Sequence, residues 1–511
     1  MNDARTQAGY SHGYSAEPSK QRAGGGAERR TGRTAPRYGR NHGIYILEQF
    51  FKNSPSLILL SVLSLPVVII NSENQAQASE KIAAVALHIV LAAAIFALSV
   101  VQWKRDTFRI GMGYITQRKG ILFLTDVSLC SYNMSSMEIA ASPLTGIFGA
   151  VRLNMRTSAG GRRPDLSILL SKRRARDICR YLMPFTKTDD NPIFYPKFKN
   201  LLLMALSGEN FFSSVFLMIP FVDYLGSTLG VNLSGVILSE VSYTLDSLLP
   251  FVPHIFSSVA AFMLLSFLFH VVHRLFQMGK YFSTRGGQYI VISRGVLSRR
   301  IISVNCARIA AVDIRQTLLG RLWKLRSAAL VLEGHCKLEN TLLIPAERGD
   351  SMEERLGELF PKPSPNGAEL TPAPSGRVFF WLPWAVACLA AAVTWLRLWV
   401  LFGEYSDIVG IVFTALILFL LWKTAVSVIA SREASVRLGG DCVEICAQKG
   451  LTLHKMKIFK GRVSVAKITA NPLQKIGDTC TVHLRAKGSK MTLSCGGLDY
   501  GRALSVLERI K

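Results

Sequence analysis

Six arginines that could bind an anion lie in the middle of the chain. A guanidinium group binds phosphate through two parallel hydrogen bonds, so these side chains could recognise a phosphorylated headgroup or peptide. Three interpretations stay open: a basic surface against a membrane, a discrete site for an anionic lipid or phosphopeptide, and a surface for a protein partner. The six residues are Arg294, Arg299, Arg300, Arg308, Arg315 and Arg321.

Two charged residues lie within apolar stretches. Arg397 lies near the end of the stretch 378–402, and Asp223 lies within 211–231. A charge inside a bilayer is costly unless it reaches the headgroups, finds a partner or faces a cavity. Either both side chains reach the outer headgroups, or Arg397 pairs with an acidic group such as Asp223. The second interpretation motivates an alternative function, export of or resistance to membrane-active compounds.

The sequence gives no catalytic or metal-binding pattern in a fitting context. It has no phosphate-binding loop, zinc-protease motif or dinucleotide fingerprint, and its Gly-x-Ser-x-Gly at residues 9–13 lies in the low-complexity N-terminal arm, not between a strand and a helix. His270 and His273 share a helix face but have no third ligand nearby, and the nine cysteines include no Cys-x-x-Cys spacing. We therefore predict a non-enzymatic protein without a cofactor, a bound metal or a small-molecule substrate.

The apolar residues are concentrated in six stretches. Hydrophobic residues make up 49% of the 511 residues. A helix needs about 20 mostly apolar residues to cross a bilayer, so the pattern predicts about six transmembrane helices in three hairpins, with four as the fallback count. The stretches are 55–70, 82–103, 211–231, 255–276, 378–402 and 408–422.

The net charge of +26 lies outside these stretches. Loops within the predicted hairpins hold almost no cations, whereas the segments between hairpins are basic. Because positive flanks stay in the cytoplasm, both termini and the soluble segments are predicted to be cytoplasmic. The anionic leaflet is then the expected partner of these cations, and a nucleic acid is not expected.

Three soluble segments share one layout. The segments 111–157, 287–333 and 440–488 each hold a hairpin glycine, namely Gly120, Gly295 or Gly450. In the second segment the sequence predicts strands at 289–293 and 296–303 around a two-residue turn, Arg294-Gly295, and in the third it predicts alternating strands at 443–447 and 451–458. Further short strands follow, and each copy ends in a helical pattern. The three helical patterns cover residues 172–182, 352–360 and 500–510.

The second segment resembles a known family. The stretches 294–300 and 307–322 look like the signature of bacterial pleckstrin-homology-like (PH-like) domains of the YdbS/YdbT type. The first copy keeps the residues from Ser142 to Gly146, and the third keeps only those from Asn471 to Leu473. The resemblance implies a small β-rich fold capped by a C-terminal helix, repeated between transmembrane hairpins, and implies no known reaction.

The predicted organisation follows from the hairpins and the three copies. We expect a bacterial inner-membrane scaffold whose PH-like domains bind the anionic leaflet, protein partners or both, including another membrane protein of the same family. A basic N-terminal arm would precede three hairpins and three domains, with a proline-rich linker before the last hairpin. The ranges are 1–43 for the arm, 44–103, 201–278 and 378–430 for the hairpins, 104–200, 279–362 and 431–511 for the domains, and 363–377 for the linker.

Overall fold

The chain repeats one order of secondary structure three times. We call the copies repeat 1 (residues 39–182), repeat 2 (193–359) and repeat 3 (369–510). In each, a two-residue strand precedes a helical part, six longer strands follow, and a helix ends the copy. The computed structural model describes residues 39–55, 78–121, 123–159, 161, 163–184, 192–207, 239–240, 243–244, 247, 254–334, 341–360, 367, 369–401 and 406–510.

Each repeat contributes seven strands. Those of repeat 1 are β1 Gly39–Arg40, β2 Thr107–Gly111, β3 Tyr114–Lys119, β4 Thr125–Cys130, β5 Met134–Ala140, β6 Ala150–Thr157 and β7 Leu166–Ser171. Those of repeat 2 are β8 Ile193–Phe194, β9 Phe282–Gly286, β10 Tyr289–Arg294, β11 Arg300–Asn305, β12 Ile309–Thr317, β13 Leu325–Leu332 and β14 Leu342–Arg348. Those of repeat 3 are β15 Glu369–Leu370, β16 Ser435–Leu438, β17 Cys442–Lys449, β18 Thr452–Phe459, β19 Val463–Thr469, β20 Thr479–Ala486 and β21 Leu493–Asp499.

Helices occupy three equivalent places in each repeat. The helical parts before the long strands contain α1 Ile44–Asn53 and α2 Ala78–Arg105, α5 Phe198–Leu206 and α6 His254–Met278, and α9 Pro374–Leu401 and α10 Ser406–Glu433. A short helix follows the fifth strand of each repeat, between β5 and β6, between β12 and β13, and between β19 and β20: α3 Pro143–Ile147, α7 Leu318–Leu322 and α11 Pro472–Ile476. The closing helices are α4 Lys172–Leu182, α8 Gly349–Leu359 and α12 Tyr500–Ile510.

The sheets run across the boundaries between repeats. Two seven-stranded antiparallel sheets have the orders β7-β6-β5-β11-β10-β9-β8 and β14-β13-β12-β18-β17-β16-β15. The last three strands of one repeat therefore continue into the first strands of the next. A four-stranded sheet β1-β2-β3-β4 begins the row, and a three-stranded sheet β19-β20-β21 ends it. Consistent with shared sheets, residues 36–511 form one compact unit.

Each helical part is tied to a sheet at both of its ends. The short strand before it pairs with the long strand after it, in the pairs β1–β2, β8–β9 and β15–β16. The chain therefore leaves a sheet, passes through the helices and returns to a neighbouring position in the same sheet. This arrangement fixes the direction in which the helices leave each sheet.

The apolar core is also continuous between repeats 2 and 3. One cluster combines residues of β10–β14 and α8 with Cys442 and Phe459 from repeat 3. The ring of Phe360, directly after α8, packs 5.8 Å from that of Phe459. Burial of shared apolar surface is the main favourable term in such packing, so the two repeats stabilise each other.

Among the residues that the structure describes, three helices have the length and composition needed to cross a membrane. Their apolar windows are His88–Arg105, Pro374–Leu398 and Val412–Glu433, and α6 contributes the shorter apolar segment Leu264–Met278. The prediction of about six spans is not confirmed, because 56–70 and 211–231 lie outside the described residues. The predicted domain boundaries also stay a prediction, since neighbouring repeats share sheets.

The observed strands agree with the predicted hairpin in repeat 3 and differ from the predicted one in repeat 2. The alternating patterns in repeat 3 correctly predicted β17 and β18. In repeat 2 the predicted two-residue turn was wrong, because the pairing ends at Arg294 and resumes at Arg300. Gly295, at φ +95°, begins a longer turn in which Val296 and Leu297 leave the ladder and stay exposed.

Candidate functional site

Two joints between repeats are built with one register. At the first joint β5 pairs with β11, and at the second β12 pairs with β18. Ser142 and Thr317 cap the short helices α3 and α7, so equivalent positions in the two joints can be found by counting back from these residues. Four residues before each cap stand Glu138 and Asp313, which face Ile302 and Met456 across the joints. The equivalence extends along both strands, so the second joint repeats the first.

A buried charged cluster lies in the second joint. The side chain of Asp313 is fully buried and its Oδ1 lies 3.0 Å from Nδ1 of His454, while Arg315 Nε donates to Oδ2 at 2.8 Å. A carboxylate only accepts, so Nδ1 of His454 carries a proton. Nε2 of the same ring lies 2.7 Å from the Thr452 hydroxyl. Burial by itself raises the pKa of Asp313, but His454 and Arg315 outweigh it and hold the pKa below its usual range.

The first joint has an equivalent pair of side chains, one basic and one acidic, and the basic member is more exposed to solvent. Arg300 lies at the strand position of His454, and Glu138 lies at that of Asp313. Arg300 Nη1 is 3.7 Å from Oε1 of Glu138, and the arginine side chain is 40% exposed. In both joints a basic side chain on the strand of the later repeat, which we call the incoming strand (β11 or β18), pairs with a carboxylate on the strand of the earlier repeat, the receiving strand (β5 or β12).

A second buried carboxylate holds the far end of the second joint. The Glu333 side chain is 1% exposed and contacts Arg308 of its own repeat. It also pairs with Arg462 and with Lys487 of repeat 3, the latter at 3.2 Å. An uncompensated buried carboxylate is strongly unfavourable, so the position of repeat 3 is coupled to that of Glu333.

An arginine recurs at the equivalent place in each of the two joints. Arg308 and Arg462, each the last residue before β12 or β19, donate to the carbonyl oxygens of Tyr132 and Ala307 in the preceding repeat, at 3.2 and 3.1 Å.

The recurring glycines permit close backbone approach. Each lies two residues beyond the end of β13 or β20, in the left-handed region. A Cβ on Gly334 would lie 1.9 Å from the Thr157 carbonyl oxygen, and one on Gly488 would lie 2.2 Å from that of Leu332. The joints thus need glycine at these two positions.

Two exposed apolar turns lie beside the ends of the long helices. In repeat 2 the amides of Gly295 and Val296 donate to the carbonyls of Gly279 and Phe276, so the turn 295–299 covers the end of α6. In repeat 1 the Arg105 side chain at the end of α2 donates to the carbonyl of the turn residue Ile121. The exposed fractions are 87% for Phe123, 53% for Leu124, 46% for Val296 and 64% for Leu297.

The predicted anion-binding arginines are dispersed over several environments. Arg294 is buried and Arg299 is exposed in the turn beside α6. The other four have carboxylate partners: Glu138 for Arg300, Glu333 for Arg308, Asp313 for Arg315 and Glu433 for Arg321. An anion would have to compete with these carboxylates. Anion binding by the six residues stays a prediction.

The remaining predicted residues lie in the helices. Arg397 is exposed on α9, and Asp223 lies outside the described residues. His273 Nε2 lies 2.7 Å from the Gln277 side chain. Within the described residues no group of three His, Cys, Asp or Glu side chains is placed to hold a metal ion.

Sequence reasoning missed the carboxylates and the histidine of the joints, although it named three of the arginines that contact these carboxylates. Asp313 interrupts the otherwise apolar run 309–314, and a strand apolar on both faces is typical of a sheet interior. That pattern could have identified β12 as a central strand with a buried charge. In β5 the residues Ser135 and Ser136 are buried but polar, so the sequence of this strand does not show the apolar run that would identify a central strand.

Comparison with known proteins gives one family. Residues 57–185 and 233–358 match the family model described as Bacterial PH domain. Each matched region contains a long apolar helix, the six long strands of one repeat and all or nearly all of its closing helix. These matches support a bacterial PH-like family for repeats 1 and 2. No curated protein and no solved structure matches the chain.

Proposed function

We propose that this chain, whose two matched regions support a bacterial PH-like family, is a non-enzymatic membrane scaffold of three fused PH-like repeats. The observation that carries the proposal is the pairing of neighbouring repeats through shared sheets, in one register at both joints. PH-like domains are in general binding modules for lipids or proteins. Fusion through sheets and buried charges gives such modules a fixed spacing.

Membrane anchoring is the second part of the proposal. In the described part of the chain three apolar helices have the length to cross a bilayer, and the short strands before the helical parts hold both ends at a sheet. The basic segments between hairpins favour the cytoplasmic side for the sheets. On this proposal the protein resides in the bacterial inner membrane, and the row of sheets lies along the anionic leaflet.

Leaflet contact is assigned to the apolar turns. Phe123 and Leu124 in repeat 1, and Val296 and Leu297 in repeat 2, are exposed at the ends of the long helices α2 and α6. At the level of the headgroups these side chains would insert into the interface. Arg299 in the second turn would contact anionic headgroups, since cations near the leaflet contribute about 1 kcal/mol each.

The test uses the full chain in lipid nanodiscs. A photoreactive benzoylphenylalanine replaces Phe123 or, as the matched control, Met112, which is 94% exposed in the turn at the other end of β3. The two turns are separated by the length of β3, about 20 Å. We expect lipid adducts at position 123, in higher yield with anionic lipid, and few at 112. Equal yields at the two positions would contradict the proposed orientation.

A further inference from the structure

The strands at the two outer edges of the row, β4 and β19, correspond to the two strands that pair in each internal joint. On the described part of the chain, β4 and β19 have no strand on their outer sides. β4 is the equivalent of the incoming strands β11 and β18, and β19 is the equivalent of the receiving strands β5 and β12. The register of the internal joints therefore defines how each outer edge would pair.

β19 retains the apolar character of a receiving strand. None of its seven residues is fully buried, whereas six of seven in β5 are buried. Val463, Ala466 and Ile468 are only partly buried against the core of repeat 3. A partner strand on this edge would complete their burial and satisfy the open row of backbone groups.

β19 carries a cation at the position where β5 and β12 carry a carboxylate. Lys467 stands four residues before Asn471, the cap of α11, which is the place of Glu138 and Asp313 in the internal joints. Lys467 is exposed. An incoming strand with a cation where Arg300 and His454 stand would place like charges together, which disfavours pairing.

The chain's own β4 lacks the features of an incoming strand. Thr125 stands at the position of Arg300, five residues after the turn glycine, and gives Lys467 no opposite charge. Asn133 replaces the arginine that precedes β12 and β19, and Ala159 replaces the glycine found at 334 and 488. A second copy of this chain is therefore a poor occupant of the β19 edge.

We infer that the β19 edge is a docking site for a different polypeptide, a PH-like module whose incoming strand carries a carboxylate at the position facing Lys467. The inference rests on the proposed scaffold function and names its partner by chemistry. The partner strand would be antiparallel to β19 in the register of the two internal joints. The carboxylate would pair with Lys467 diagonally across the joint, as Arg300 does with Glu138.

The probe for this edge is the chain itself with the missing features supplied. Thr125→Glu with Ala159→Gly provides an acidic incoming strand and room for close approach. Asn133 stays unchanged because it accepts a hydrogen bond from Arg308 in the first joint. The matched control is Thr125→Arg with Ala159→Gly, which differs only in the sign of the new charge.

Sedimentation velocity of the full chain in detergent measures association. We expect a wild type without head-to-tail association, an associating Glu variant, and an Arg variant weaker by about tenfold or more. Adding Lys467→Glu should reverse this preference, strengthening the Arg variant and weakening the Glu variant. Circular dichroism and the thermal transition of each variant verify folding.

Other results would overturn the inference. Wild-type copies that associate through β19 would make a second copy the occupant. A monomeric Glu variant, or equal association of the Glu and Arg variants, would remove the role of Lys467. Lipid adducts at position 123 do not depend on any of these outcomes, so failure of the docking site and failure of the membrane proposal are distinguishable.

Discussion

The two internal joints share a backbone register but differ in their side-chain chemistry. In the first joint the pair Arg300–Glu138 is long and its arginine is partly exposed. In the second, Asp313 is fully buried between His454 and Arg315. The Glu138 side chain is only 10% exposed, but Arg300 reaches solvent, and an ion pair that stays partly hydrated contributes less than one whose members are both buried. Backbone pairing therefore defines the joint, and burial determines how much each joint depends on its charges.

Substitution of the central carboxylates should give the largest contrast. Asp313→Asn leaves His454 and Arg315 without their acceptor, and we expect a loss of about 3–5 kcal/mol in the free energy of unfolding. Glu138→Gln at the equivalent position should cost about 1 kcal/mol or less. Denaturant unfolding of both variants in the same detergent measures the two costs. Equal losses would show that the joints do not differ in the way their burial indicates.

The joint glycines should give an intermediate effect. Gly488→Ala adds a Cβ in the left-handed region and against a backbone carbonyl of repeat 2. Gly450 has φ +64° and nothing within 4 Å of an added Cβ, so Gly450→Ala isolates the cost of the backbone conformation. That conformation costs about 1–3 kcal/mol for a residue other than glycine. The thermal transition should fall further for the Gly488 variant, and the reverse order would contradict a close joint.

The smallest predicted effect is the loss, at acidic pH, of the stability that Asp313 contributes to the second joint. The pKa of Asp313 is lowered in the folded protein because His454 and Arg315 outweigh the burial. Its contribution is therefore complete above the pKa of the unfolded chain, about 4, and is lost as the pH falls through the lower folded value. The stability difference between wild type and Asp313→Asn should shrink below pH of about 4. A difference that stays constant there would mean that Asp313 is not the charged member of the cluster.

The sequence predicted the repeated units better than their connections. The turn glycines and alternating strands identified the hairpins, and the helical patterns agree with α4 and α12 at both ends. These features are local, because side-chain period and turn residues determine them within a few positions.

The joints could not be predicted in the same way. The identity of the strand beside β5 or β12 depends on how whole repeats pack, and alternation within a strand is compatible with many partners. The arginines illustrate the limit, since their clustering in the sequence left a basic surface, an anion site and a partner surface open, whereas the structure gives Arg308 and Arg315 carboxylate partners. An acidic partner can lie far away in sequence, as Glu433 does from Arg321, at a separation of 112 residues.

Hydrogen exchange of the full chain in nanodiscs tests the shared sheets most directly. The measurement compares the joint strands β11 and β18 with the outer-edge strands β4 and β19 in one sample. If the repeats are joined as described, β11 and β18 amides should be protected like those of interior strands, while β4 and β19 exchange faster. Exchange of β11 and β18 as fast as that of β4 and β19 would contradict a continuous row of sheets.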